Sequence, residues 1–499
     1  MRIVDGVSRS LNEFLLHPNL TGENCTPENI DLSAPLVRHR ADGQSPVRVA
    51  LPLVSAIMEA VSSPEMAIAL AQAGGLSFIH QNQPVAREAD DVRTVKQHKA
   101  GFRHSDLNVK PSATLGEVSE LLRGAGQDVA VVTSDGTGDG VFLGLIRKDD
   151  FFLGRHPADL PVSERMRPAA DLVTAGPSIS LQDANTLLWD QRLDVLPVVR
   201  EDGRLAALVL RRDYLLHKRF ASESVDGEKR FLVGAGINTR DYEDRVPALV
   251  AAGADLLCTD SSDGYSVWQE RTLKFIAARY PEVHCGAGNV IDGRGFRFLA
   301  AAGAAFVKVG IGGGSICTTR AQKGIGRGQA TALIDVIRER DAYARETGWY
   351  VPVCCDGGVA TEKEMSVALA LGADFIMLGR VFAGTRESPS RKVTIDGKVF
   401  KEYWGEGSRR AQNAARYGQG EEDLAFPEGV DGLVPYTGSL HDNLPVTIAK
   451  IKATMVSCGA TTLRAFHETA VLEPVPDATA SQNGAQVMMR DRVAAAAAS

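Results

Sequence analysis

One cysteine, Cys317, closes a glycine-rich run and is followed at once by Thr318, Thr319 and Arg320, so residues 310–320 read GIGGGSICTTR. A thiol that loses its proton is a nucleophile, and it attacks whatever the surrounding backbone allows to come close. Glycine permits such approach because it carries no Cβ and adopts shapes closed to other residues. The string therefore points to covalent chemistry on a small ligand held against a loop. Read alone, GGGS fits equally a flexible loop beside an inert, buried thiol.

The elements that position this loop argue for the first reading. Phe306-Val307-Lys308-Val309 is a short apolar run that leads directly into it. The same design recurs along the chain. Leu51–Met58 passes Ser55, Leu76–Ile79 ends at His80-Gln81-Asn82, and Phe231–Ile237 ends at Asn238. Leu256–Thr259 runs into Asp260-Ser261-Ser262-Asp263, and Val283–Cys285 into Gly286–Asn289. Val351–Cys355 ends at Asp356-Gly357-Gly358, and Phe375–Leu378 at Gly379-Arg380. Near-continuous apolar runs mark parallel strands buried on both faces. Helical patterns separate them and stop at glycines such as Gly253, Gly303 and Gly372. Eight strand–helix units predict a (β/α)8 barrel, whose chemistry sits on the loops after the strands. The rival is a doubly wound open sheet, but no GxGxxG opens a helix after the first strand.

One stretch breaks the rhythm, between the second and third strands. From 102 to 220 a helix, a strand, a turn and a strand occur twice: Ala113–Arg123, Asp128–Thr133 and Phe142–Arg147, then Ser178–Gln191, Val195–Val199 and Leu205–Leu210. The pair resembles a tandem of CBS modules, and that resemblance implies a site for an adenine or guanine nucleotide. A ligand-free structural insertion is the alternative. The expected organisation is a first barrel part over 1–101, the tandem over 102–220, and the rest of the barrel over 221–499. A polar, glycine-rich flap is expected over about 385–436, with little apolar periodicity; a loop that long is functional or disordered.

Composition restricts the function classes. The chain has 499 residues, 44% of them hydrophobic, enough for a large core, and its 49 glycines suit many tight strand-to-helix loops. Its net charge of −7 (55 basic against 62 acidic residues) leaves no electrostatic footprint for nucleic acid. No apolar run is long enough to span a membrane, and the N-terminus lacks a signal-peptide core. The seven cysteines show no CxxC metal spacing, and Cys258, Cys285, Cys354 and Cys355 read as small core residues of a reduced, cytoplasmic protein.

Taken together, GIGGGSICTTR, DSSDG (260–264), GAGN (286–289), CDGG (355–358), MLGR (377–380), YWGEGS (403–408), RY (416–417) and VPY (434–436) resemble the inosine-5′-monophosphate (IMP) dehydrogenase family across nearly the whole chain. The loop's continuation, AQKGIGRGQAT, is most similar to the protozoan-type members. The resemblance implies that Cys317 attacks carbon 2 of the hypoxanthine ring, hydride passes to NAD, and a thioimidate is left for hydrolysis to XMP. It implies a phosphate site from Ser315, Gly357, Gly358, Gly379, Arg380 and Tyr403, with Asp356 on the ribose. Ser55 and Met58 would lie against the base, and Glu406, Gly407 and Glu428 along its edge. Asp260, Ser261, Ser262, Asn289 and Arg320 would meet the nicotinamide half of NAD, with Arg240 and Trp268 around the adenine. Each has a plain alternative: Met58 and Trp268 as packing residues, Glu428 as a solvated charge.

For the hydrolytic half, the resemblance gives Arg416 the activation of water, aided by Tyr417 and Thr319. Composition would not nominate an arginine as a base. It further implies a homotetramer and a potassium ion on the carbonyls of Gly312, Gly314 and Cys317. The matching tail reads Gln482-Asn483-Gly484, without the acidic residue common in the family. Two other functions stay open: a GMP reductase, which shares the barrel, the cysteine and the threonine, and a nucleotide-sensing protein without catalysis.

Overall fold

The computed structural model describes residues 3–98, 102–103, 105, 107–125, 127–138, 140–211, 222–228, 230–411 and 426–476. The chain forms two compact units, one of Met1–Lys96, Ser222–Asp226 and Leu232–Ser499, the other of Gln97–Ala221 and Gly227–Phe231.

The larger unit is a (β/α)8 barrel. Its parallel strands are β1 (Leu53–Ser55), β2 (Phe78–Ile79), β3 (Gly234–Ile237), β4 (Leu256–Thr259), β5 (His284–Val290), β6 (Val307–Val309), β7 (Val353–Asp356) and β8 (Phe375–Leu378). They neighbour one another in the order β1-β8-β7-β6-β5-β4-β3-β2. The ring is joined between β1 and β2 by a bridge from Val54 to Leu76 and by Ser55 N donating to Leu76 O at 3.1 Å. Large and small residues interlock inside. The rings of Phe78 and Phe306 lie 5.9 Å apart, and those of Phe306 and Phe375 5.3 Å. A Cβ on Gly286 would stand 2.1 Å from the Phe306 ring, so β5 carries glycine where β6 delivers its phenylalanine.

The outer helices follow local rules. Ser63, Ser266, Asp292 and Thr361 cap Pro64–Gln72, Val267–Arg279, Gly293–Ala301 and Glu362–Ala370 by accepting from backbone N–H groups of the first turn. Gly253 ends Tyr242–Ala252 at φ +92°, the left-handed shape a helix stop favours. After β8 the described part of the 385–436 segment departs from the expected loop. It contains a three-stranded antiparallel sheet of Lys392–Ile395, Lys398–Trp404 and Asp431–Pro435. Its hairpin turns at Asp396-Gly397, with φ of +50° and +73°, as a two-residue Asp-Gly turn requires.

The smaller unit contains helix Leu115–Ala125 with strands Val129–Thr133 and Phe142–Arg147, then helix Leu181–Asp190 with strands Val195–Val199 and Leu205–Leu210. Each copy packs its helix on its own apolar cluster. A third cluster, with Val131 and Leu145 from one copy and Leu208 and Leu210 from the other, joins the two sheets.

Candidate active site

The loops following β1 and β4 to β8, with the turns at 403–407 and 428–429, enclose a cavity of about 340 Å³ at the C-terminal end of the barrel strands. Cys317 is half-buried on its wall. Its loop begins at Gly310, φ +138°, where a Cβ would strike the Asp356 carbonyl at 2.1 Å, so only glycine fits. The loop is then pinned from across the cavity. Thr318 N donates to Glu428 O and Val430 N to Ile316 O, both at 3.0 Å, and Cys317 bridges Gly429.

A chain of side-chain contacts leaves the thiol. Cys317 Sγ lies 3.1 Å from Thr319 Oγ1, to which it donates, and Thr319 Oγ1 donates to Glu428 Oε2 at 2.9 Å. Thr319 and Glu428 are both buried. Behind the thiol, the floor of the cavity is charged. Lys308 Nζ, from β6, lies 3.2 Å from Asp356 Oδ2 and 3.6 Å from Asp260 Oδ1. Burial alone would push this ammonium's pKa down, but Asp356, Cys258 and Asp260 outweigh it and the net shift is upward. Asn289 Nδ2 donates to Asp356 Oδ2 at 2.9 Å and to Gly310 O at 2.7 Å, while its Oδ1 is buried with no hydrogen-bond partner among the described residues.

Ser315, Gly357, Gly358, Gly379, Arg380 and Tyr403 also line the cavity. Gly357 and Gly358 have φ of +85° and +72° and turn the chain sharply after β7. Burial raises the pKa of the Tyr403 hydroxyl, which keeps it a neutral donor. Met58 faces Tyr403 OH at 4.0 Å. Glu406 Oε1 accepts from Glu59 N at 2.7 Å, and Gly407 O accepts from Glu428 N at 3.0 Å, which ties the 406–407 turn to both the β1 loop and the segment against the Cys317 loop.

The expected site residues mostly gather here. Asp260, Ser261, Ser262, Asn289, Gly312, Gly314 and Thr319 line the same cavity as Cys317, as do Glu406, Gly407 and Glu428. Four do not. Ser55 is buried behind the wall, its Oγ 2.6 Å from the hydroxyls of both Ser62 and Ser77. Arg320 is exposed and donates to the Arg327 carbonyl. Arg240 is exposed, and Trp268 is 57% exposed with the Arg271 guanidinium 4.9 Å from its ring. Arg416, Tyr417 and the Gln482–Gly484 tail lie outside the described residues. Sequence reasoning passed over Lys308, although a lysine inside the run Phe306–Val309 is itself a signal, since lysine is almost never buried unless paired.

Comparison with known proteins agrees with this geometry. A sequence model of the family described as IMP dehydrogenase / GMP reductase domain matches residues 8–485. The inosine-5′-monophosphate dehydrogenase of Tritrichomonas foetus is 50% identical over 97% of this chain and 97% of its own. That of Aquifex aeolicus is 34% identical over 94% of this chain and 93% of its own. Among solved structures, GMP reductase of Trypanosoma brucei in complex with guanosine 5′-monophosphate matches with a TM-score of 0.73 at 27% identity, over 97% of this chain and 99% of that one.

Proposed function

The chain belongs to the IMP dehydrogenase / GMP reductase family, and from that premise we propose how its cavity divides the work. The protein is an NAD-dependent IMP dehydrogenase that oxidises IMP to XMP. The observation that carries this reading is the 50% identity with the Tritrichomonas foetus enzyme over 97% of the chain.

Cys317 adds to carbon 2 of the base. Its proton has a two-step path, through Thr319 Oγ1 to the Glu428 carboxylate. NAD, when bound, takes up the hydride that leaves carbon 2. The thioimidate so formed is hydrolysed by water, which returns the thiol and gives XMP. Arg416, with Tyr417 and Thr319, activates that water. The phosphate is held by Ser315, Gly357, Gly358, Gly379, Arg380 and Tyr403, and the ribose by Asp356. Met58 supports the base, with Glu406, Gly407 and Glu428 along its edge.

Asp260, Ser261, Ser262 and Asn289 hold the nicotinamide half of NAD, bordered by Arg320. The buried Asn289 Oδ1, which lacks a partner among the described residues, fits an amide donor there. Arg240 and Trp268 stack the adenine end, a role that the exposed indole face of Trp268 permits. Carbonyls of Gly312, Gly314 and Cys317 would hold a potassium ion. Among the described residues no group of three or more His, Cys, Asp or Glu is placed to hold a metal ion, and potassium accepts backbone oxygens. The active form is a homotetramer, and the smaller unit takes a purine nucleotide as a CBS pair would.

GMP reductase is the second reading. The Trypanosoma brucei reductase spans 97% of this chain, so the inserted unit does not separate the two activities. One assay does. With IMP and NAD, absorbance of NADH rises, faster with potassium, and XMP accumulates. Silence there together with NADPH consumption on GMP would replace dehydrogenase with reductase, and silence in both would leave a nucleotide-binding protein without catalysis.

A further inference from the structure

We propose that Lys323 is a positioning residue for the oxidation, acting on the reaction through the Glu428 carboxylate. The claim rests on the assignment of Cys317 and Thr319 made above. Thr319 and Lys323 open and close the five-residue helix Thr319–Lys323. Four residues apart, they project from one face of the helix, one turn from each other. Each takes a different oxygen of the same carboxylate: Thr319 Oγ1 donates to Glu428 Oε2 at 2.9 Å, and Lys323 Nζ lies 2.8 Å from Glu428 Oε1. Gly324, at φ +67°, stops the helix directly after Lys323.

The main chain fixes where Glu428 starts but not where its carboxylate points. Thr318 N donates to Glu428 O at 3.0 Å, which sets the backbone against the nucleophile loop. Among the described residues, the partners that aim the carboxylate come from this helix turn. The Glu428 side chain is 6% exposed and that of Lys323 28%. A carboxylate so covered needs a cation close by, and removing one partner of a buried pair leaves the other uncompensated. Thr319 has a single hydroxyl proton. Committed to Glu428, it leaves an oxygen lone pair to face Cys317 Sγ, 3.1 Å away. Lys323 thereby keeps Glu428 in place, Glu428 keeps the Thr319 hydroxyl turned, and Thr319 meets the thiol. Lys323 does not line the cavity and has no contact with the substrate in this scheme.

A double-mutant cycle tests the claim, with kcat and the KM for IMP read from NADH formation in the holoenzyme. Lys323→Met is expected to lower kcat about tenfold while the KM for IMP stays within about twofold. In a Glu428→Gln background the same substitution is expected to cause no further loss, because its route of action is gone. Lys323→Arg is expected to keep kcat within about threefold, since a guanidinium can hold the same oxygen. Equal losses in both backgrounds would show that Lys323 acts elsewhere, and an unchanged kcat in Lys323→Met would show that it does not act at all. If Lys323→Met does not purify as folded protein, Lys323→Gln takes its place in the cycle. A wild-type chain silent with IMP and NAD would sink the dehydrogenase reading separately, and the cycle is then read with GMP and NADPH.

Discussion

Lys308 Nζ lies 3.2 Å from Asp356 Oδ2, and the lysine side chain is only 2% exposed. Asp260, across the floor of the cavity, shares the same ammonium at 3.6 Å. One buried cation thus stands between two carboxylates, Asp356, proposed above to hold the ribose of IMP, and Asp260, proposed to meet the nicotinamide half of NAD. On that proposal, the sites for substrate and cofactor meet at one nitrogen.

Lys308→Met is expected to weaken both ligands together. It leaves the two carboxylates without their buried cation, at a cost of about 3–5 kcal/mol of stability. Denaturant titration reads that cost. Initial rates should show the KM for IMP and for NAD both raised, by about tenfold or more. A rise for IMP alone, with the KM for NAD unchanged, would refute the bridging role.

Cys317 should be the one thiol that reacts readily. It is half-buried on the cavity wall, whereas the other six cysteines are buried. Burial also pushes several of those thiols up, Cys258 and Cys355 to about 12, which removes the thiolate that alkylation needs. Mass spectrometry after brief iodoacetamide treatment is expected to find a single adduct, at Cys317, suppressed by IMP. Cys317→Ala should bind IMP but produce no NADH. Early labelling at Cys355, or turnover by the alanine variant, would move the nucleophile elsewhere.

The barrel was legible because its strands are buried on both faces and read as unbroken apolar runs. That Cys317 and Thr319 stand together on the cavity wall was legible because glycine-rich loop, thiol and threonine are contiguous. Contacts between distant segments were not. Thr319 and Glu428 are 109 residues apart, and nothing local to either announces their hydrogen bond. Lys308 was hidden by the same apolar run that revealed its strand. The Lys392–Trp404 hairpin was missed because its charged residues obscure the alternation, although Asp396-Gly397 carried the turn. Ser55 sits one layer too deep: its position at the end of β1 was right for a site residue, but its hydroxyl faces Ser62 and Ser77.

Gly379→Ala is expected to damage the phosphate side selectively. A Cβ at Gly379 would stand 2.6 Å from the Tyr403 hydroxyl and 3.4 Å from Met58 Sδ. Tyr403 is buried and cannot swing freely, so the hydroxyl must shift out of the cradle, an overpacking strain of about 1–3 kcal/mol. The KM for IMP should rise about tenfold. The KM for NAD should hold, because the added Cβ meets Tyr403, Met58 and Ala56 and neither Asp260 nor Asn289. Equal changes in both constants would mean that the strain spreads through the barrel instead of staying at Tyr403.

His80, just past β2, should make the protein sensitive to acid. Its Nδ1 is buried and has no hydrogen-bond partner among the described residues. Burial, followed by the charges of Arg87 and Arg245, lowers its pKa from 6.5 to about 4. Between those values the unfolded chain takes up a proton that the folded chain refuses. Stability is therefore whole above pH 6.5 and falls as the pH drops towards 4, by up to about 3 kcal/mol. Urea titrations at pH 7, 6 and 5 read the slope. His80→Gln removes the titrating ring and is expected to flatten the curve over this window while leaving other acid-sensitive groups in place. Parallel curves for the two proteins would show that His80 is not the group that charges.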